Sequence, residues 1–377
     1  MASLELPAGA LEPAGLETLP GKKPLIKRTF RPPNFETPTA YFNHQFTPND
    51  AFYVRYHLAD IPKIDVNNWT LKIGGESVEH PLQMTMDELK NRFAPVEIAA
   101  VSQCAGNRRG LFRPHAPGVQ WGYGAMGNAR WKGFRLKDLL TAAGVRKDAL
   151  EVVFNGADSA PVKGTPDFVK SLPLPKALDE HTLIAFEMNG EPLPHWNGYP
   201  LRLVAPGWTA TYWMKHLVSI EVIARPFDGF WMKTAYRIPR EAFPETDAFL
   251  SQQAASTTPI TEMMVNSLIT NLENGQRFKL GQWIEVKGIA WDGGQGIERV
   301  EISTDEGKTW LQAQLGKDEG RFSWRQWHYR FKHEMSGIHS LMVKATNRLG
   351  HTQPFELIQN PAGYHHNRVQ KIDITIV

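Results

Sequence analysis

Cys104 is the single cysteine among 377 residues, so it cannot close an intrachain disulfide. It ends an apolar run containing Val96, Ile98 and Val101, which reads as a buried strand, and Ala105-Gly106-Asn107-Arg108-Arg109 follows at once. A thiol at a strand end beside two guanidinium groups sits in a positive field. That field favours the thiolate, the form that acts as nucleophile or metal ligand. The same cysteine also suits a plainer role as a small buried apolar side chain. Arg55 and His57 stand two apart in the β-like run Phe52-Tyr53-Val54-Arg55-Tyr56-His57, and a period of two places both on one face. There a guanidinium offers paired hydrogen bonds to an oxyanion and an imidazole orients it; the alternative is charge on a solvated strand face. Tyr236 follows Trp231-Met232-Lys233, where a phenol hydroxyl can donate to an anion or relay a proton, or simply sit as an amphipathic surface group. His365 and His366 are adjacent, so on a strand they point apart, and a zinc site is not expected with one thiol in the chain.

The stretch SQCAGNRRG (102–110) resembles the motif that carries the molybdenum-ligating cysteine in the sulfite oxidase family. TPNDAFYVRYHL (47–58), NGYPLRLVAPG (197–207), Trp213-Met214-Lys215, Trp231 with Tyr236, and the tail His366-Asn367-Arg368-Val369 resemble the same family in the same order. The likeness runs from about Pro38 to the C-terminus. One short motif is weak evidence; six in order are strong.

The resemblance implies a role for each of these positions. Cys104 becomes the molybdenum ligand, and Arg55 and Arg109 the arginines facing the sulfur oxyanion. Trp121 becomes a pocket wall, with ordinary core packing as its alternative. Tyr236 becomes the active-site tyrosine, and Arg368 an arginine reaching back to the substrate from the C-terminal domain. The cofactor shell implied for molybdenum-molybdopterin is Tyr53, Val54, Arg55, His57, Cys104, Asp158, Asn197, Arg202, Trp213 and Lys215. The family often has histidine where Asn197 stands. Arg202 in an ion pair and Lys215 on a solvated face are the plainer readings of those two cations.

These side chains need a framework. With 42% hydrophobic residues, 377 residues suffice for a large core or two domains. A net charge of +3 without a Lys/Arg-rich run argues against nucleic acid. No apolar stretch approaches a membrane span, and the first residues lack the basic and apolar regions of a signal peptide. Residues 1–37 carry prolines at 7, 13, 20, 24, 32 and 33 without periodicity, and read as an extended arm lying on a surface. Residues 38–256 mix strand and helix signals and read as a loop-rich α+β cofactor domain. Thr85 to Glu88 is a capping box opening a helix to Arg92. Leu136 to Ala143 is a helix stopped by Gly144. Strands are predicted over 69–73, 151–154 and 201–204, and Asn189-Gly190 turns a hairpin that starts with Leu183 to Met188. Asp158 lies in the turn after 151–154. Residues 257–377 alternate around Ile284/Val286, Val300/Ile302 and Leu341/Val343/Ala345. Short strands at this spacing predict an immunoglobulin-like β-sandwich without a disulfide, and the resemblance implies a domain of the dimerisation type.

Together the expectation is an α+β chain that oxidises sulfite to sulfate at a molybdenum-molybdopterin centre. With no CxxCH sequence, no haem is expected in this chain, and the electron acceptor becomes a c-type cytochrome subunit or carrier. This expectation places the protein in the periplasm, with its signal removed, as a homodimer or a heterodimer with the cytochrome. Nitrate reductases and periplasmic sulfoxide reductases share the scaffold and remain open. A surface binding module with a structural Cys104 is the reading from another class, and a cysteine hydrolase lacks a local signature.

Overall fold

The computed structural model describes residues 15–160, 162–243 and 256–377. Strands predominate, with short helices, in an α+β unit followed by a two-sheet β unit.

The first unit is built on two five-stranded sheets. In one, the chain runs through the neighbours Val169–Pro173, Glu151–Gly156, Leu217–Ile223, Leu71–Gly74 and Leu82–Met84, with a single parallel pair between 217–223 and 71–74. In the other, Pro95–Gln103 pairs along its whole length with Met126–Arg135, which pairs in turn with Leu183–Met188. The hairpin continues to Glu191–Pro192 through Asn189 and Gly190, both at positive φ (54° and 82°), the two-residue turn that suits right-twisted strands. Arg202–Val204 pairs with the outer side of 183–188. Local rules hold where expected. Thr85 and Glu88 exchange both capping-box bonds, and Gly144 ends Leu136–Ala143 in the left-handed region.

Residues 15–36 are not an extended surface arm. Leu16–Glu17, Leu25–Thr29 and Asn34–Glu36 form three strands of a sheet completed by Val54–Arg55. Burial overrides the prolines: Leu25 and Phe35 are fully buried with Val54 and Tyr56 in a small core of their own. Residues 1–14 of the predicted arm lie outside the described residues.

Arg237–Pro239 pairs with Thr257–Pro259, so the chain touches the first unit again before the sandwich sheets begin at Asn266. These sheets have the orders 266–269, 284–291, 325–331, 314–315 and 277–278, 370–376, 337–347, 297–303, 311–312. The alternating residues face inward: Ile284, Val286, Trp327, Val300, Ile302, Leu341, Val343, Ile372 and Ile374 share one apolar core. No helix among the described residues is long and apolar enough to cross a membrane.

Candidate active site

Cys104 leaves the end of the 95–103 strand, and its loop is tied down by backbone bonds. Its amide donates to Ala125 O (2.9 Å), Asn107 N to Cys104 O (2.9 Å) and Arg108 N to Gly122 O (2.8 Å). The Asn107 side chain accepts from Ala125 N at 3.0 Å, locking the loop against the segment that follows Trp121. Arg108 takes a left-handed conformation (φ 67°), which sends the two consecutive guanidinium groups apart. Arg108 is buried against the sandwich, donating to Asn266 Oδ1 (2.6 Å) and Ser267 O (3.0 Å). Arg109 turns to the other side, donates to Ala362 O at 2.8 Å and lies 5.1 Å over the Tyr364 ring. A Cβ at Gly106 would fall 2.6 Å from that guanidinium, so the glycine is what lets Arg109 through.

Beneath the thiol lies a cavity lined by Tyr53, Arg55, His57, Cys104, Asp158, Asn197, Arg202, Trp213 and Lys215 among others. The period of two holds in the strand that enters it. Tyr53, Arg55 and His57 line the cavity, while Val54 and Tyr56 point into the N-terminal core. The side chain of Val54 therefore cannot reach a cofactor in this cavity. Arg55 donates to the Tyr236 hydroxyl at 3.4 Å, and His57 Nε2 shares a short hydrogen bond with the same oxygen. The imidazole stacks on Phe168 (3.6 Å between centroids), and burial with the nearby cations of Arg55 and Lys215 holds it neutral. Tyr53 hydrogen-bonds the Ser102 hydroxyl at 3.0 Å.

The deeper wall is cationic. Arg202 donates to Asn197 O (3.0 Å) and stacks over Trp131 and Trp213, at 5.0 and 5.6 Å. Lys215 donates to Arg55 O (2.7 Å) and sits 4.1 Å over the Tyr56 ring. Burial, then Arg202, lowers its ammonium to about 7, and burial lowers the Arg202 guanidinium to about 10. Burial raises the carboxyl of Asp158, against the pull of Lys215. Three basic side chains thus face one carboxylate, and the Nε atoms of Arg55 and Arg202 are buried without a hydrogen-bond partner. Unpaired buried donors are costly, and this set calls for an anion carrying many acceptors. A pterin phosphate supplies the anion for the cations, and its amide and amino edges supply donors for Asp158. The residues fit molybdopterin, with Cys104 as the soft sulfur donor for a metal at its reactive end.

A second, open cavity lies on the solvent side, lined by Arg109, Gly118, Trp231, Arg237, Ala362 and Tyr364. Arg55, Cys104 and Tyr236 line both cavities. These three side chains therefore stand where a group held from within meets a molecule arriving from without.

Two positions expected here are elsewhere. Arg368 is exposed and donates to Phe355 O at 2.7 Å, and it lines neither cavity. The residue that the C-terminal segment delivers is Tyr364, stacked on Tyr236 with 5.5 Å between centroids and 7° between planes. Trp121 is fully buried in the main core and also lines neither cavity, so ordinary packing accounts for it. His365 packs on Phe243 and His366 on Phe112; burial lowers both imidazoles to about 3. The sequence reading also passed over Lys170, buried behind Tyr236. It donates to Trp231 O at 2.7 Å and lies 5.0 Å over the Tyr236 ring. A lone lysine in the alternating strand 169–173 carries no local signal of that placement.

Residues 57–231 match the oxidoreductase molybdopterin binding domain, and residues 257–377 match the Mo-co oxidoreductase dimerisation domain. The chain is 32% identical to the sulfite oxidase of Arabidopsis thaliana, over 83% of its own length and 81% of that protein's. It belongs to the sulfite oxidase family. It is also 34% identical to the mitochondrial sulfite oxidase of Drosophila melanogaster across 94% of its length, and it spans 63% of that relative. Among solved structures, the sulfane dehydrogenase SoxCD from Paracoccus pantotrophus shares the fold: TM-score 0.77, 24% identity, covering 95% of this chain and 87% of that one. The matched molybdopterin-binding region contributes His57, Cys104, Asp158, Asn197, Arg202 and Lys215 to the inner cavity.

Proposed function

We propose that this chain oxidises sulfite to sulfate and passes the electrons to a c-type cytochrome. The observation that carries the reading is the shared position of Arg55, Cys104 and Tyr236 between an inner cationic cavity and an outer mouth. Cys104 would hold the molybdenum through its sulfur. Asp158, Asn197, Arg202, Trp213 and Lys215 would hold the pterin and its phosphate. When bound, the molybdenum centre supplies oxygen-atom transfer to sulfur and takes up two electrons. The chain's own residues do the rest. Arg55 presents its guanidinium to the anion from below, and Arg109 and Tyr364 narrow the mouth. Tyr236, held between Arg55 and His57, keeps its proton, since burial raises its pKa; it donates a hydrogen bond to an oxygen of the anion. Neutral His57, in its Nε2–H tautomer, donates to the same oxygen as Arg55, which leaves the single O–H of Tyr236 to point at the anion.

A small tetrahedral anion suits this constellation better than a bulky peptide sulfoxide, because two guanidinium groups and a phenol converge on one point. We assign the acceptor to a c-type cytochrome in the periplasm. The test is one purification and three assays. Molybdenum per chain and pterin fluorescence after oxidative release are measured first. Sulfite, nitrate and methionine sulfoxide are then offered with an artificial electron carrier. The reading expects one molybdenum per chain and turnover with sulfite; a preference for nitrate or the sulfoxide would reverse the oxygen flow and sink it. Full activity with dioxygen alone, and none with cytochrome c, would remove the cytochrome. Light scattering separates a homodimer through the sandwich from a pair with the cytochrome.

A further inference from the structure

Residues 16–36 lie outside the matched molybdopterin-binding region, yet their side chains reach the cavity from behind. Lys22 is only 6% exposed, and its ammonium donates to Asn197 Oδ1 and to Asn49 O, both at 2.6 Å. Asn197 lines the cavity, donates from its amide to Tyr53 O at 3.2 Å and accepts from Arg202 at its carbonyl. A lysine on the N-terminal segment thereby orients a side chain that bonds Tyr53 O, in a residue whose backbone carbonyl holds Arg202. Asn34 acts at the other wall. Its Oδ1 accepts from Arg55 Nη1 at 3.2 Å and from Tyr56 N at 3.3 Å, and Asn34 and Arg55 are paired across adjacent strands. Its own amide is anchored on Thr29 Oγ1 (2.7 Å). Glu36 completes the attachment, accepting from Gly122 N (2.6 Å) and Gly124 N (3.0 Å) in the segment that holds the Cys104 loop, while Arg28 closes on the same carboxylate.

We infer that residues 16–36 are part of the cofactor and anion site, with Lys22 positioning the pterin shell through Asn197 and Asn34 positioning the guanidinium of Arg55. A buried ammonium between two oxygens is rigid, because leaving either unpaired carries a desolvation cost. A guanidinium held by a neutral amide keeps its full charge for an incoming anion, which a carboxylate partner would have neutralised. The segment is thus a clasp with two functions: retention of the cofactor at Lys22 and pre-orientation for the substrate at Asn34.

The inference rests on the molybdopterin reading of the cavity, and the test separates the two. Holoprotein carrying Lys22→Met is compared with parent and with Lys23→Met, whose exposed ammonium pairs with Asp50 at 3.3 Å. Pterin released into solution on warming is followed by fluorescence after oxidation. Removing a charge-assisted hydrogen bond should speed release roughly tenfold or more in Lys22→Met, with Lys23→Met at the parental rate. In parallel, Asn34→Leu is assayed per bound molybdenum. Its sulfite KM should rise roughly fivefold to tenfold while molybdenum content stays at the parental level, and Lys287→Met, on the sandwich surface, should keep the parental KM. A purely structural role would instead lower molybdenum content and leave the KM of the loaded fraction alone. Parental release from Lys22→Met, or an unchanged KM in Asn34→Leu, overturns the inference while a loaded parent leaves the cavity reading intact. A parent that binds no molybdenum-pterin overturns the cavity reading itself.

Discussion

The two interiors of this chain are opposite in chemistry. Between the sandwich sheets the core cluster is built of apolar side chains, and charges of those strands pair on the surface, as Glu285 does with Lys287 at 3.1 Å. Around Cys104, buried Arg202 and half-buried Arg55 and Lys215 line one cavity with Asp158 as its only carboxylate, and two of their guanidinium nitrogens are buried without a partner. The first interior has no charged side chain in its core cluster and serves stability. The second is complete only around an anion, and stability is given up there to bind one.

The comparison breaks most severely at Cys104. Cys104→Ser replaces a soft thiolate with a poor hydroxyl ligand and should lower sulfite turnover roughly a thousandfold or more, about 4 kcal/mol in barrier. Circular dichroism and molybdenum content are checked first; near-parental activity would return Cys104 to a packing role. Next comes the sandwich. Leu341→Ala, in its fully buried core, should cost about 2–5 kcal/mol in urea unfolding without moving the sulfite KM. A raised KM there would mean that the two interiors are not separable. Arg55→Gln removes the charge and the paired donors; its sulfite KM should rise roughly tenfold to a hundredfold, about 1.4–2.8 kcal/mol. Arg55→Lys should recover only part, since an ammonium lacks the planar fork.

Acid should also discriminate between the regions. His216 and His365 lie outside the sandwich core, and burial holds both imidazoles at about 3. The unfolded chain takes up these protons below about 6.5 and the folded chain does not, so stability falls as pH drops from about 6.5 towards 3. Each histidine contributes about 1.4 kcal/mol per pH unit within that window. A urea midpoint that stays flat between pH 7.5 and 5 would show that these imidazoles are not held neutral. The smallest effect belongs to the sandwich surface: Lys287→Met should change stability by less than about 0.5 kcal/mol, since both partners are half exposed.

Much of this was legible because local rules and burial agreed. Thr85 with Glu88, Gly144, Asn189-Gly190 and the alternation from Tyr53 to His57 each express a local geometry that tertiary packing left unchanged. The cofactor shell was readable through motif likeness, since cations scattered over Arg55, Arg202 and Lys215 converge only after the sheets form. The N-terminal segment failed for the opposite reason. Its prolines advertise an extended arm, and nothing near Leu25 or Phe35 announces the partners Val54 and Tyr56 that bury them. The ten-residue strand Met126–Arg135 went unpredicted because MGNARWKGFR alternates poorly and contains two glycines. Arg368 was misplaced because His365 is left-handed (φ 53°), a twist that turns the segment so that Tyr364 faces the mouth and Arg368 faces water.

Arg108 sits four residues from the candidate metal ligand and spends its guanidinium on Asn266 and Ser267, while Gln103, on the other side of Cys104, accepts from Trp291 at 2.6 Å. Both neighbours of the thiol's loop are therefore bolted to the β unit. The two units cannot be exchanged like beads on a string: a chimera that grafts a relative's sandwich would inherit a buried arginine without its acceptors. Recombination between members of this family should succeed only where residues 103–109 and 266–291 travel together, which makes the metal-side loop and the sandwich a single unit of inheritance.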